Sequence, residues 1–295
     1  MEIVVFGAGS LGSLLGGLLA REHVVTLVGR RAHVERIRKE GLQIDGEYEL
    51  TTRPRARTDA NGLTGDLALV TVKSYDTEQA ARALAIGRYG AVASLQNGLG
   101  NESILVEHLS EATILAGTTT FGALLREPGI VECTGVGSVT LGLPAGGRSD
   151  TADRVAHAFR DAGIKCESVT DMPRRLWEKL SVNAGINPVT ALLDVRNGAL
   201  SDGPGYDVAI DAATETARVA RAIGIDLSNE RAVSSLRSVI DSTAENVSSM
   251  ARDLRSGRRT EIDALNGAVV DRAPADVPVP VNRTLAALIG AAERR

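Results

Sequence analysis

Short runs of consecutive apolar residues alternate with stretches of helical period through the first half of the chain. Ile3-Val4-Val5-Phe6 is a continuous β-rich run of the kind that is buried on both faces of a parallel sheet. It empties into Gly7-Ala8-Gly9-Ser10-Leu11-Gly12, after which Leu14, Leu15, Leu18 and Leu19 fall at helical spacing and Val24-Val25-Thr26-Leu27-Val28 begins a second strand. The unit is β-α-β over about 30 residues, the length a right-handed crossover takes. Further strands are predicted over 67–72, 91–95 and 113–116, with helical stretches over 78–84 and 102–108 between them. From about 130 the pattern changes. Residues 130–134 and 138–142, joined through Gly135 and Gly137, predict an antiparallel pair. A helix over 151–162 and a strand over 164–169 close the first domain. Beyond 170 the pattern is nearly all helical, with stops at Pro188, Gly198, Gly203-Pro204, Gly224 and Gly257. An extended Pro-rich segment over 273–280 precedes one last short helix. The expected fold class is α/β: a doubly wound sheet domain over 1–169, then an all-helical domain over 170–295.

Gly7, Ala8, Gly9, Ser10, Leu11 and Gly12 match the dinucleotide fingerprint of a Rossmann-type domain, preceded by a strand and followed by a helix as that motif requires. Gly7 permits the tight turn, Gly9 lets backbone approach a pyrophosphate, and Gly12 lets helix and strand pack closely. The end of the second strand decides which dinucleotide binds, because NAD sites carry an acid there for the ribose hydroxyl. Gly29-Arg30-Arg31 stands at that place. A guanidinium pairs with a 2′-phosphate that a carboxylate would repel, so the cofactor expected is NADP(H), unless the arginines are surface charges with another role. Lys73 and Asn97 each follow a predicted strand, at the carboxyl ends where open α/β sheets bind ligands. Asn97-Gly98 also fits an ordinary turn.

Composition narrows the function classes. Apolar residues make up 43% and charged ones 24% of the 295, a globular balance that rules out wholesale disorder. Thirty-three Lys and Arg against 37 Asp and Glu give a net charge of −4, so a nucleic-acid partner is not expected. No apolar run is long enough for a membrane span, and the N-terminus shows no leader pattern; the expectation is a soluble cytoplasmic protein, monomer or homodimer. Cys133 and Cys166 make no disulfide framework and lack metal-ligand spacing, and no metal is expected. His33 and His108 read as helix-surface residues and His23 as a loop residue.

A carbonyl reductase needs a group that protonates the oxygen as hydride arrives, and no histidine follows His157. Lys179, Asn183 and Asn187 are spaced i, i+4, i+8, on one face of a predicted helix that Pro188 should bend or end. Desolvation or a neighbouring cation lowers a lysine toward neutrality and makes it a usable general acid. Taken alone, the stripe also fits a solvated face or an interhelix contact. Two further segments stand out. Residues 243–250 place Asn246 and Ser249 at i, i+3 on a predicted helix face. Another helix is expected to start at 260, with Thr260 as N-cap, Asp263 in the capping-box position and Glu261 at N1, where a carboxylate suits the helix dipole without any function.

Together these segments resemble the ketopantoate reductase (2-dehydropantoate 2-reductase) family. The matching motifs are Gly7 to Gly12, Val72-Lys73, Gln96-Asn97-Gly98-Leu99-Gly100, Gly117-Thr118-Thr119-Thr120, and Leu176-Trp177-Glu178-Lys179-Leu180. Val182-Asn183, Ile186-Asn187-Pro188, Asn197-Gly198, Glu245 to Met250 and Thr260-Glu261-Ile262-Asp263 follow in family order over nearly the whole chain. The resemblance implies NADPH-dependent reduction of 2-dehydropantoate to (R)-pantoate, on the route to pantothenate and coenzyme A. It implies Lys179 as proton donor to the keto oxygen, in the gap between two domains. Asn97 would touch both cofactor and substrate, while Asn183, Asn187, Asn197 and Ser249, with Asn246 beside them, would hold the substrate. Arg30 would bind the 2′-phosphate, with Lys73, Ala123 and Glu261 also lining the cofactor pocket. Phe121-Gly122-Ala123 departs from the His-Ala-Ala type of sequence associated with the family. Two other readings share the fold: a reductase of another branched 2-keto acid, and a catalytically idle NADP-sensing paralogue.

Overall fold

The computed structural model describes residues 1–294, and these divide into two compact units. The first unit comprises 1–96 and 101–172, and the second comprises 97–100 and the described residues from 173 on. The strands of the first unit are β1 (Glu2–Phe6), β2 (Val24–Val28), β3 (Leu42–Gly46), β4 (Leu50–Thr52), β5 (Arg55–Arg57), β6 (Thr64–Val70), β7 (Arg88–Ser94), β8 (Thr113–Thr119), β9 (Gly122–Glu127), β10 (Ile130–Gly135), β11 (Val139–Gly142) and β12 (Cys166–Ser168). Its helices are α1 (Ser10–Leu19), α2 (Arg31–Glu40), α3 (Thr77–Leu84), α4 (Asn101–His108) and α5 (Asp150–Asp161). Eight strands form one sheet in the order β12-β11-β8-β7-β6-β1-β2-β5, parallel except for the β11–β8 pair. Because β1 lies between β2 and β6, the chain reverses its direction of travel across the sheet there. The fingerprint loop therefore leaves β1 at the topological switch point, where open α/β sheets bind ligands.

A second, four-stranded sheet has the order β4-β3-β10-β9. Helix α1 packs between the two sheets, which explains why its sequence is apolar all round rather than on one stripe. A Cβ on Gly16 would meet Leu27 of the large sheet at 2.4 Å, and one on Gly17 would meet Ile44 of the small sheet at 2.7 Å. Leu14, Leu15, Leu18 and Leu19 fill the space between, all essentially inaccessible.

The expected antiparallel pairing of 130–134 with 138–142 does not form. β10 pairs instead with β9 through a turn at Pro128-Gly129, where Gly129 has φ +83°, while β11 pairs with β8 and β12 in the other sheet. The Gly135-Val136-Gly137 link carries the chain from one sheet to the other. His33 is also not a surface residue. It is 3% exposed, its Nδ1 accepts the Gly129 N–H at 2.9 Å and its Nε2 lies 2.9 Å from Ser13 Oγ. One imidazole thus joins α1, α2 and the β9–β10 turn. Both cysteines are buried and free, and burial pushes the Cys166 thiol up to about 12. No helix among the described residues is long and apolar enough to cross a membrane.

The second unit contains α6 (Met172–Leu193), α7 (Gly203–Ala222), α8 (Asn229–Ser242), α9 (Ser249–Arg255), α10 (Asn266–Arg272) and α11 (Pro280–Ala292). α6 is buried on two sides: Trp177 and Leu180 join one apolar cluster with Ala217 and Val269, and Val182, Ile186 and Val189 join another with Ala209 and Leu236. Pro188 does not end this helix, which continues to Leu193.

Burial lowers the His33 pKa from its ordinary 6.5, so the folded state resists a proton that the unfolded chain accepts. Stability is unaffected above that value and falls as pH drops below it. In denaturant titrations from pH 8 to pH 5, the wild type is expected to lose stability more steeply below pH 6.5 than His33→Gln. Parallel curves would remove His33 from the acid response.

Candidate functional site

In the first unit the nucleotide-site candidates gather at the carboxyl end of β1. Gly7 has φ +109°, and a Cβ there would stand 2.7 Å from Val72 N, so both conformation and space demand glycine. A Cβ on Gly12 would fall 2.3 Å from Gly7 O. Gly9 differs, since its nearest neighbour would be 3.9 Å away. That open space lies at the first turn of α1, whose opening N–H groups have no partner within their own helix and favour an anion. The loop is held on all sides. Gly7 and Ala8 donate N–H groups to Val28 O at 3.1 and 2.8 Å, Thr71 Oγ1 donates to Gly7 O at 2.9 Å, and Ser10 Oγ accepts the Leu125 N–H at 3.0 Å. Ala123 lies two residues before Leu125 on β9 and is half-buried.

Arg30 and Arg31 stand at the start of α2 just past β2, and both are exposed. Neither forms an ion pair among the described residues. Lys73 opens a short 3-10 turn (Ser74–Asp76) after β6. Gln96 braces this turn from the next strand end, donating from Nε2 to Val72 O at 3.1 Å and to Thr77 Oγ1 at 2.7 Å.

In the second unit, α6 presents Lys179, Asn183 and Asn187 at successive turns. Lys179 is half-buried, and loss of hydration pushes its amine down to about 8, partly opposed by the negative charge of Glu261. Glu261 is itself buried and receives Asn97 Nδ2 at 3.5 Å. The Asn97–Gly100 segment is fixed to the same place. Leu99 donates its N–H to Ala264 O at 3.2 Å, and a Cβ on Gly98 (φ +84°) would strike Ala264 O at 2.4 Å. Asn97, Lys179 and Glu261 therefore form one neighbourhood within this unit.

A second group adjoins α6 through Thr190, whose hydroxyl bonds Ser248 Oγ at 2.8 Å. Ser248 is the N-cap of α9, accepting from Ala251 N at 3.1 Å, and Ser249 is the first residue of that helix. Asn197 is buried, donating from Nδ2 to Thr243 Oγ1 at 2.8 Å and from its backbone N–H to Asn246 O at 2.9 Å. Its Oδ1 is buried with no protein partner, an acceptor left over for another donor.

Two local expectations need correction. Asn246 and Ser249 do not share a helix face: 243–248 is a turn between α8 and α9, and Asn246 is exposed there. The chain also does not start a regular helix at 260. Thr260 Oγ1 accepts the Ile262 N–H at 3.2 Å in a two-residue turn, and only a 3-10 turn (Ile262–Ala264) follows before α10. Asp263 does not close a capping box but pairs with Arg259 at 3.1 Å. Sequence reasoning also passed over Glu178. Its carboxylate takes Arg174 at 3.0 Å, Arg231 at 2.9 Å and Ser235 at 2.6 Å, clamping α6 to α8 directly beside Lys179. Its place within the Trp177-Glu178-Lys179 run was the available signal. Among the described residues no group of His, Cys, Asp and Glu is arranged to hold a metal ion.

The first unit is a Rossmann-like dinucleotide-binding fold with its fingerprint at the switch point, and it is joined in sequence to an all-helical unit. Residues 3–146 match the family described as Ketopantoate reductase PanE/ApbA, and residues 171–293 match its C-terminal counterpart. The chain belongs to the ketopantoate reductase family. It is 48% identical to a 2-dehydropantoate 2-reductase of Halobacterium salinarum, over 100% of this chain and 99% of that protein. It is 39% identical to one of Pyrococcus horikoshii, over 99% and 98%. Among solved structures, a PanE/ApbA family ketopantoate reductase from Ralstonia eutropha superposes with TM-score 0.90 at 33% identity, covering 100% and 99% of the two chains. A D-mandelate dehydrogenase determined with NADH and anilino(oxo)acetate superposes with TM-score 0.93 at 26% identity, covering 100% and 98%.

Proposed function

We propose that the protein reduces 2-dehydropantoate to pantoate with NADPH, and that Lys179 is its general acid. The observation that carries the reading is the half-buried Lys179 amine, lowered to about 8 on a helix that also presents Asn183 and Asn187. An amine in that range is still mostly protonated at neutral pH, yet gives up its proton far more readily than a free lysine. The full-length relatives named 2-dehydropantoate 2-reductase support the choice of substrate.

A reduced nicotinamide, when bound, supplies the hydride to the carbonyl carbon. The residues at the fingerprint fit such a dinucleotide: the open face of Gly9 and the N-terminus of α1 provide an uncrowded cradle for its diphosphate. Arg30, with Arg31 beside it, takes the 2′-phosphate, and Lys73, Ala123 and Glu261 contact the rest of the cofactor. The dehydrogenase relative was determined with NADH, so a pyridine nucleotide is common ground and the arginines carry the case for NADPH.

Lys179 donates its proton to the keto oxygen as that oxygen gains charge, and the neutral amine is then recharged from solvent. Glu261 favours the protonated amine against the loss of hydration and, through Asn97 Nδ2, fixes the amide that touches both cofactor and substrate. Asn183 and Asn187 hold the carboxylate and hydroxyl of the substrate from α6. Asn197, Ser249 and Asn246 complete the binding set.

Lys179→Ala is expected to lower kcat/KM for 2-dehydropantoate by about 100-fold or more while leaving the NADPH Kd within about three-fold. Unchanged turnover would remove Lys179 from the mechanism, and equal rates on 2-oxoisovalerate-like acids would replace the substrate by a broader 2-keto acid class. Arg30→Asp with Arg31→Ala is expected to cut kcat/KM for NADPH roughly ten-fold or more and to favour NADH. Retained NADPH preference in that double variant would defeat the phosphate assignment.

A further inference from the structure

Pro188 sits inside α6, five residues before its end. Proline has no N–H, so the carbonyl four residues earlier, that of Ala184, loses the helix bond it would otherwise receive. Ala184 is wholly buried and water cannot serve in its place. The missing bond is supplied from another helix: Asn266 Nδ2 donates to Ala184 O at 3.0 Å. The second Nδ2 hydrogen of Asn266 goes to Asn282 Oδ1, also at 3.0 Å. Asn282 in turn donates from Nδ2 to Ala212 O at 3.0 Å and to Glu215 Oε2 at 2.9 Å. Glu215 accepts the backbone N–H groups of Val281 and Asn282 at 3.0 and 2.9 Å, so its buried carboxylate caps the first turn of α11. Asn266 and Asn282 are inaccessible and Glu215 is 2% exposed. The Oδ1 of Asn266 takes no protein donor, so the grip of this side chain on its surroundings runs through Nδ2 alone.

The carbonyl held in this way belongs to the residue between Asn183 and Gly185, one turn after Lys179 and three residues before Asn187. We propose that Asn266 is a positioning residue, a substitute for the helix hydrogen bond that Pro188 removes, and that the Asn282–Glu215 pair behind it sets where Asn183 and Asn187 meet the keto acid. The inference rests on the reading that these asparagines bind the substrate. Without the amide of Asn266, α6 must open at Pro188 to satisfy Ala184 O, and the two asparagines on either side of that carbonyl turn away from each other. Misplacement of binding groups by about 1 Å is enough to cost up to 100-fold in rate.

The test is a double-mutant cycle in the full chain with Asn266→Leu, which keeps the side-chain volume, and Pro188→Ala, which restores an N–H for Ala184 O. Asn266→Leu is expected to raise the KM for 2-dehydropantoate about ten-fold while the NADPH Kd changes less than about two-fold. In the Pro188→Ala background the same substitution is expected to raise KM by less than about three-fold. Equal losses in the two backgrounds, or a fall in thermal midpoint with no change in KM, would overturn the proposal. Asn282→Ala, which leaves α6 and Asn266 intact, is expected to give the same pattern in weaker form and carries the cycle if Asn266→Leu does not fold. Thermal midpoints of the four chains, measured without ligand, report the hydrogen bond independently of catalysis. A wild type that binds NADPH but leaves 2-dehydropantoate unreduced would overturn the functional reading, while the unfolding cycle would still decide whether Asn266 replaces the helix bond.

Discussion

The desolvated ammonium of Lys179 is the constraint around which the helical unit is arranged. Moving its pKa from 10.5 to about 8 opposes protonation by roughly 3 kcal/mol, more than a surface ion pair returns. That figure is what remains after Glu261, itself buried and so acting through a medium that screens little, has offset part of the loss of hydration. The balance leaves an amine that is charged at neutral pH and weakly held, which is what proton delivery to a developing alkoxide requires. Removal of Glu261 would deepen the shift, and a solvated Lys179 would lose it.

That balance depends on a helix whose position is set from outside. On one side of Lys179, Glu178 gathers Arg174, Arg231 and Ser235 and ties α6 to α8. On the other, Asn266 satisfies the carbonyl orphaned by Pro188, and Thr190 links α6 to the N-cap of α9. The polar side chains buried along this helix are thus of two kinds. Some are spent on neighbouring helices, and others, Asn183 and Asn187, are the ones the proposed mechanism assigns to the substrate. The first unit shows the same economy at the nucleotide loop, where Gly7 and Gly12 are filled against backbone and Gly9 alone is left open.

The features legible in the sequence were those with a strong local period or a sterically exacting motif. Strand β2 was read to the residue, and α1 with its glycine loop followed from spacing alone. Short polar strands such as β4 and β5 have no such period, and they acquire their structure from pairing, β4 with its neighbour β3 and β5 with the more remote β2. The same cause misled the pairing of β10 and β11: Gly135 and Gly137 resemble a hairpin turn locally, whereas Pro128-Gly129 makes the real one. His33 looked exposed because its helix is charged, and only the small sheet, assembled from remote segments, covers it. In the candidate site, helical spacing grouped Lys179, Asn183 and Asn187. Nothing in the spacing could show that Asn97 meets Glu261, or that Asn266 reaches Ala184, since these contacts join residues 164 and 82 positions apart.

The most direct measurement is the pH dependence of kcat/KM for the keto acid in both directions of the reaction. If Lys179 delivers the proton, reduction falls about ten-fold per unit above pH 8 while oxidation of the hydroxy acid rises toward a plateau through the same value. Profiles that run flat through pH 8 in both directions would mean that the proton comes from somewhere else.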